Sequence, residues 1–282
     1  MARPRNSRAR TRPARLTMHL LLAALVLLSL GPFLFMLMTS LKSNDQFLHG
    51  YFAPGIPPQW GNYAEAWGQV RGYLLNSVTI TAVSVAGGLV LAALAAYAFS
   101  RYRFPGSGLL FVLVVVVMLV PGVLTLIPTF VILRDLSLIG THRALYAVYV
   151  TESLALGILV LRAFFASVPE ELLEAASLDG ATEIGIAARV VAPLAAPALL
   201  TVAIMNALAA WNEYLWPLIV LPDAKRWTIA QGLVAFRDRY AGMSAWGPLF
   251  AGFVIASAPL LVVFFASTRR FVSAITSGAM KA

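Results

Sequence analysis

Apolar runs of about twenty residues, the length a helix needs to cross a bilayer, recur along this chain, and that recurrence restricts its fold more than any other feature. The runs fall near residues 20–40, 78–100, 109–134, 145–165, 194–221 and 250–267, with charged residues at their edges. In lipid every backbone N–H and C=O must be satisfied inside the protein, and runs this long without period-two alternation do so as helices rather than barrel strands. The expected fold is therefore all-α, a polytopic membrane helix bundle with six transmembrane helices. Composition agrees: 60% of the 282 residues are hydrophobic and 12% are charged, a balance seldom found in soluble domains.

The net charge of +9 is concentrated at one end. Arg3, Arg5, Arg8, Arg10, Arg12 and Arg15 precede the first apolar run, and without them the charge is +3. A basic tail beside a span is what the positive-inside rule produces, and it suits anionic lipid headgroups better than nucleic acid. With the N-terminus inside, 13 of the 21 Lys and Arg lie on the cytoplasmic side, so both termini are expected there. The first run exceeds a signal-peptide core and lacks a small-residue cleavage site, so it is expected to stay as a span.

The expected organisation is a basic tail over 1–16, a first transmembrane helix over 17–41, an extracytoplasmic loop over 42–72, a core of five further transmembrane helices over 73–272 that includes a cytoplasmic loop over 167–193, and a cytoplasmic tail over 273–282. The 42–72 loop carries Pro54, Pro57, Pro58, Trp60, Tyr63 and Trp67, which suits a packed interfacial loop with aromatic anchors. Pro121, Gly122 and Pro128 interrupt the third run, as a kinked pore-lining helix or as ordinary bundle packing. Small residues in the second run, among them Ala82, Ser84, Ala86, Gly87 and Gly88, allow close helix approach.

The most informative stretch is 167–197, reading SVPEELLEAASLDGATEIGIAARVVAPLAAP. Ser167 can cap a helix over 169–179, where Glu170 and Glu171 complement the positive end and Gly180 suits a left-handed stop. Thr182 can cap a second helix from Glu183 to about Val191, which Pro193 ends. The result is a helix, an elbow and a helix on the cytoplasmic side. Leu172, Ala175, Ala176 and Asp179 offer a narrow face that another protein's groove could accept.

This stretch resembles the cytoplasmic EAA loop of carbohydrate-type permease subunits of bacterial ATP-binding-cassette importers, close to the maltose-type second permease. The family pattern falls on Glu174, Ala175, Ala176, Gly180, Val190, Ala192 and Pro193, with Ala192 departing from the usual Leu. The likeness extends to Asn76 with Ser77, to AAYAFSRYRF from Ala95, to WNEYLWPL from Trp211 and to GAMK from Gly278. A polar loop with a good helix stop would explain Asp179 and Gly180 but not the whole pattern.

The resemblance implies the type I importer permease fold in a bacterial inner membrane. It implies a heterodimer with a second permease subunit, an ATPase subunit dimer docked on the loops, an extracytoplasmic solute-binding protein and a carbohydrate solute. Glu174, Ala175, Ala176, Ser177, Leu178, Asp179, Gly180 and Pro193 would then couple to the ATPase, with Glu174 meeting a basic residue and the alanines permitting close approach.

Within the fifth run, Asn206, Trp211, Asn212 and Glu213 are candidates for the translocation path, because an ionisable group at membrane depth is costly unless paired or used. The alternative is that Asn212 and Glu213 bond neighbouring helices or lie nearer the outer interface. Glu152 is a weaker candidate that could pair with Arg134 or Arg143. The chain has no Cys, which removes disulfides, thiolate catalysis and Cys metal sites. His19, His49 and His142 are scattered, and Lys42, Lys225 and Lys281 all lack a preceding Gly, so no phosphate-binding Gly-Lys motif occurs. ATP hydrolysis is expected in a separate subunit, with no cofactor here. The rivals are an ion-gradient-driven secondary transporter and a polytopic membrane enzyme.

Overall fold

The structure, a computed structural model, describes residues 11–279, with side chains from 17 to 266. Among these residues there are helices and turns and no strand. The helices are α1 (Thr11–Ser40), α2 (Asn44–His49), α3 (Gly61–Arg101), α4 (Ser107–Val117), α5 (Gly122–Asp135), α6 (His142–Ala166) and α7 (Glu170–Leu178). They continue as α8 (Glu183–Ile186), α9 (Ala192–Leu194), α10 (Ala196–Asn212), α11 (Leu215–Val220), α12 (Ile229–Gly242) and α13 (Trp246–Ala279). The outer part of the basic tail and the last three residues lie outside the described residues.

Four stretches, Thr17–Ser40, Gly61–Arg101, His142–Ala166 and Trp246–Ala266, are long and apolar enough to cross a membrane unbroken. Two further candidates are bent: α4 meets α5 at 102°, and the stretch ending in α9 meets α10 at 81°. Counted as broken spans they make six. The break in the third run is sharper than a kink. Pro121 has no N–H to offer the Val117 carbonyl, and Met118, Leu119 and Val120 instead close tight three-residue turns. Pro128 stays inside α5.

Boundaries set by hydropathy alone fall short of the helix ends. The helix of the second apolar run, α3, starts at Gly61, inside the expected 42–72 loop, and α12 has no counterpart in the apolar runs. Hydropathy marks where lipid must be crossed; the hydrogen-bonded ladder runs on wherever the backbone permits.

The fold divides into two compact units, one of residues up to Gln69 with Phe236–Ile255, the other of Val70–Ala235 with residues from Ala256 on. In the first, Lys42 is fully buried and donates to the carbonyls of Gly50 and Tyr51 at 2.8 and 2.7 Å. Burial lowers its affinity for the proton. Asn62 donates to the Ser40 and Lys42 carbonyls, both at 2.9 Å, and Ser43 with Gln46 forms a capping box on α2. The 42–60 stretch is thus a packed structure, with Trp60 exposed as an interfacial anchor would be.

The second unit has two apolar layers on α3, α6 and the fifth-run helices. One gathers Ala92, Ala96, Leu161, Phe165, Val191, Ala195 and Val202. The other gathers Ile80, Leu133, Leu145, Val148, Trp216 and Leu221. The intervening turns of all three helices carry polar side chains instead. Helix contact is close because the facing residues are small: a Cβ on Gly88 would lie 2.2 Å from Ser153 Oγ, and one on Gly157 2.8 Å from Ala92 Cβ.

Candidate functional site

The 167–195 stretch forms the elbow read from the sequence, with changes at three points. Asp179 ends α7, the Gly180 N–H reaches Ser177 O and the Ala181 N–H reaches Ala176 O, both at 3.0 Å. These are the paired bonds of a glycine-terminated helix, and Gly180 has the φ of +80° they require. Thr182 Oγ1 accepts from the Gly185 N–H at 3.2 Å, capping α8 as expected.

Ser167, however, does not cap α7. Its hydroxyl donates back to the Phe164 carbonyl at 2.7 Å, and Pro169 occupies the cap position with no side-chain bond. Nor does Pro193 end the second helix. After α8 the backbone widens into a π turn over Ala187–Val191, where the Ala192 N–H reaches five residues back to Ala187 O. A π turn shifts the ladder by one residue and so absorbs the donor that Pro193 lacks. The helix stops at Ala195 instead, where the ring of Pro197 would meet the carbonyl four residues before it.

The face α7 presents also differs from the expected one. Leu173 and Ala176 turn inward against the apolar layer. Glu171, Glu174, Ala175 and Leu178, spaced three and four apart, face outward. Leu178 is 89% exposed and Ile184 on α8 is 78% exposed, so the elbow displays two large apolar side chains rimmed by carboxylates.

The AAYAFSRYRF stretch holds this elbow in place. Arg101 Nη2 donates to the carbonyls of Phe165 at 2.6 Å and Val168 at 3.1 Å, satisfying the last turn of α6. Arg162 lies over the Phe111 ring at 3.9 Å. Tyr97 and Tyr102 both donate to Glu183 Oε2, at 3.2 and 3.0 Å. The bond to Glu183 holds the Tyr102 phenol above its ordinary range, so the link is intact at neutral pH and is lost as alkaline pH strips that proton. Arg101→Ala is expected to loosen the elbow by about 2 kcal/mol or more, since charged donors to two carbonyls are lost. The check is hydrogen exchange, which should accelerate over 167–180 and stay unchanged in the middle of α6.

The fifth run breaks as well. α10 ends at Asn212, Glu213 is extended, and Glu213 Oε1 accepts from the Leu215 and Trp216 N–H groups at 2.7 and 3.3 Å to start α11. The cause is Pro217, whose ring excludes a helical carbonyl at residue 213.

The four path candidates fall in different surroundings, because Asn206, Trp211 and Asn212 occupy different faces of α10 while Glu213, about two turns beyond Asn206, returns to its side. Asn206 and Glu213 line a cavity of about 260 Å³ together with Ser84, Tyr149, Glu152 and Ser153. Trp211 lies in a different, apolar pocket against Pro259 and Leu260, and Asn212 is exposed with its amide on the Leu208 carbonyl of its own helix. Glu152 does not pair with Arg134, which bonds its neighbour Asp135; it accepts from Trp216 Nε1 at 3.1 Å. Tyr149 was not singled out from sequence. Its spacing from Glu152 on one face of α6 is the signal that would have found it.

The pattern across these elements matches a known family. Residues 88–277 match the family described as binding-protein-dependent transport system inner membrane component. This chain belongs to that family. The diacetylchitobiose uptake system permease protein NgcG of Streptomyces coelicolor is 32% identical over 93% of this chain and 88% of that one. The trehalose/maltose transport system permease protein MalG of Thermococcus litoralis is 30% identical over 91% of this chain and 93% of that one. A solved bacterial ABC transporter involved in the import of the acidic polysaccharide alginate superposes with a TM-score of 0.81 at 23% identity, covering 95% of this chain and all of that one. The permease fold expected from the sequence is therefore present, in a membrane-embedded transport component.

Proposed function

We propose that this permease forms one half of the solute path of an ATP-driven importer of sugars or related hydroxylated solutes. It works with a second permease, a pair of ATPase subunits and an extracytoplasmic binding protein. The elbow and both termini face the cytoplasm, the side that the basic tail favours. Relatives named for diacetylchitobiose and for trehalose and maltose support the solute class.

The observation that carries this reading is the outward face of the elbow. Leu178 and Ile184 are large, apolar and exposed beside Glu171 and Glu174, which is the chemistry of a protein-docking surface rather than of a lipid-facing one. Glu174 meets a basic ATPase residue, Ala175 permits close approach, and Leu178 enters the ATPase cleft. Asp179, Gly180 and Thr182 keep the elbow angle, and Arg101 ties the end of α6 to it. Movement of the docked ATPases then turns the elbow as a rigid body and tilts the helices on either side of it.

Glu174→Arg is expected to lower ATPase co-purification and vanadate-sensitive uptake by about tenfold or more, the size of an interface hot spot. The variant should remain monodisperse in detergent. Wild-type uptake that an ion gradient sustains in proteoliposomes without the ATPase would refute the reading in favour of a secondary carrier.

A further inference from the structure

We propose that the cavity between α3, α6 and α10 is a solute subsite that admits uncharged or cationic hydroxylated solutes and rejects carboxylated sugars such as uronates. This rests on the reading of the chain as half of a sugar path. It adds a chemical preference that the fold does not impose, since the same fold also serves the alginate importer.

The cavity lies between the two apolar layers, at the level where an unpaired polar atom is most costly. Yet its walls hold unpaired polar atoms. Tyr149 is 6% exposed and Ser84 3% exposed, and neither Tyr149 Oη, Ser84 Oγ nor Asn206 Nδ2 has a partner within the chain. Two hydroxyls that can donate or accept and an amide that donates are a complement to sugar hydroxyls, which also do both. The volume of about 260 Å³ suits a sugar ring rather than a long oligosaccharide.

Charge decides the class. Glu152 and Glu213 both line the space, and no Lys, Arg or His does. Each carboxylate spends one oxygen on structure, Glu152 on the Trp216 indole and Glu213 on the start of α11, which leaves the other for a solute. A hydroxyl or ammonium group can donate to those oxygens. A solute carboxylate would leave water for a wall with two acids and no counter-charge, where desolvation is uncompensated.

The absence of Cys from the chain makes the test direct. Ser84→Cys and, separately, Ala209→Cys are placed in the complete importer and reacted with cationic and anionic methanethiosulfonates of matched size. Labelling of this chain is followed by mass, and each rate is divided by the reagent's rate with a free thiol. The cationic reagent is expected to be favoured by about tenfold or more, as in other charge-focusing clefts, and Glu152→Gln with Glu213→Gln should bring the ratio towards unity. Maltose and deacetylated chitobiose should slow labelling, whereas a diglucuronate at equal concentration should not. Equal protection by the diglucuronate, or a ratio unmoved by the two Gln substitutions, overturns the charge preference. Failure of both cysteines to label in any nucleotide state, or labelling that no sugar slows, overturns the path reading beneath it.

Discussion

Replacing Gly180 by valine is expected to reduce ATP-driven uptake by about tenfold or more while leaving the protein in the membrane, a loss equivalent to roughly 1.4 kcal/mol of coupling or greater. The residue has φ +80°, and a Cβ built on it would meet nothing within 4 Å. The penalty is therefore one of backbone conformation and not of crowding. An ordinary L-residue in the left-handed region costs about 1–2 kcal/mol, and a β-branched one more. To escape, the chain must give up the Gly180 to Ser177 and Ala181 to Ala176 bonds, which set the angle between α7 and α8. Gly180→Asn, which tolerates this conformation, should retain most activity. Uptake and ATPase stimulation in proteoliposomes measure both variants, and an undisturbed valine variant would show that the elbow angle carries no force.

Gly157→Leu is expected to prevent recovery of monodisperse protein. α6 lies so close to α3 and α10 here that even a methyl group would sit 2.8 Å from Ala92 Cβ and 3.5 Å from Val202, and Ala92 and Val202 are fully buried. Lipid tails are as apolar as the side chains, so helices in a bilayer associate through close packing and not through the hydrophobic effect. Forcing a leucine into this contact costs at least the upper end of about 1–3 kcal/mol and separates three helices at once. Gly157→Ala should be milder, and Ala92→Gly beside it should restore stability, a coupling that a double-mutant cycle in thermal unfolding would measure. Additive effects of those two substitutions would mean the helices are not in contact there.

Much of the elbow was legible from residues close together in the chain. Gly180 as the left-handed stop and Thr182 as a cap act within a few positions of themselves, so their types and spacing were sufficient. Ser167 and Pro193 failed under the same logic because each had a second solution available. The serine bonded back to α6, and a π turn accommodated the proline. The outward face was misjudged at Ala176 for a different reason. An alanine can serve either side of a helix, and only the presence of the apolar layer decided which.

The cavity shows the same division. Asn206 and Glu213 were visible as polar residues in an apolar run, but Trp211 and Asn212 beside them point to other surroundings, because the 3.6-residue turn of α10 carries them onto other faces of the same helix. Ser84, Tyr149 and Glu152 come from distant runs and meet Asn206 and Glu213 only once the helices pack.

From its sequence alone, then, this chain was bound to be a helical membrane bundle with an elbow of a recognisable kind, since apolar length, proline, glycine and capping chemistry act locally. The tertiary structure alone decided which elbow face is free, where the proline-containing runs turn, and that two carboxylates and three unpaired polar groups share one cavity. Those outcomes depend on how closely α3, α6 and α10 approach, which is set by contacts between residues far apart in the chain.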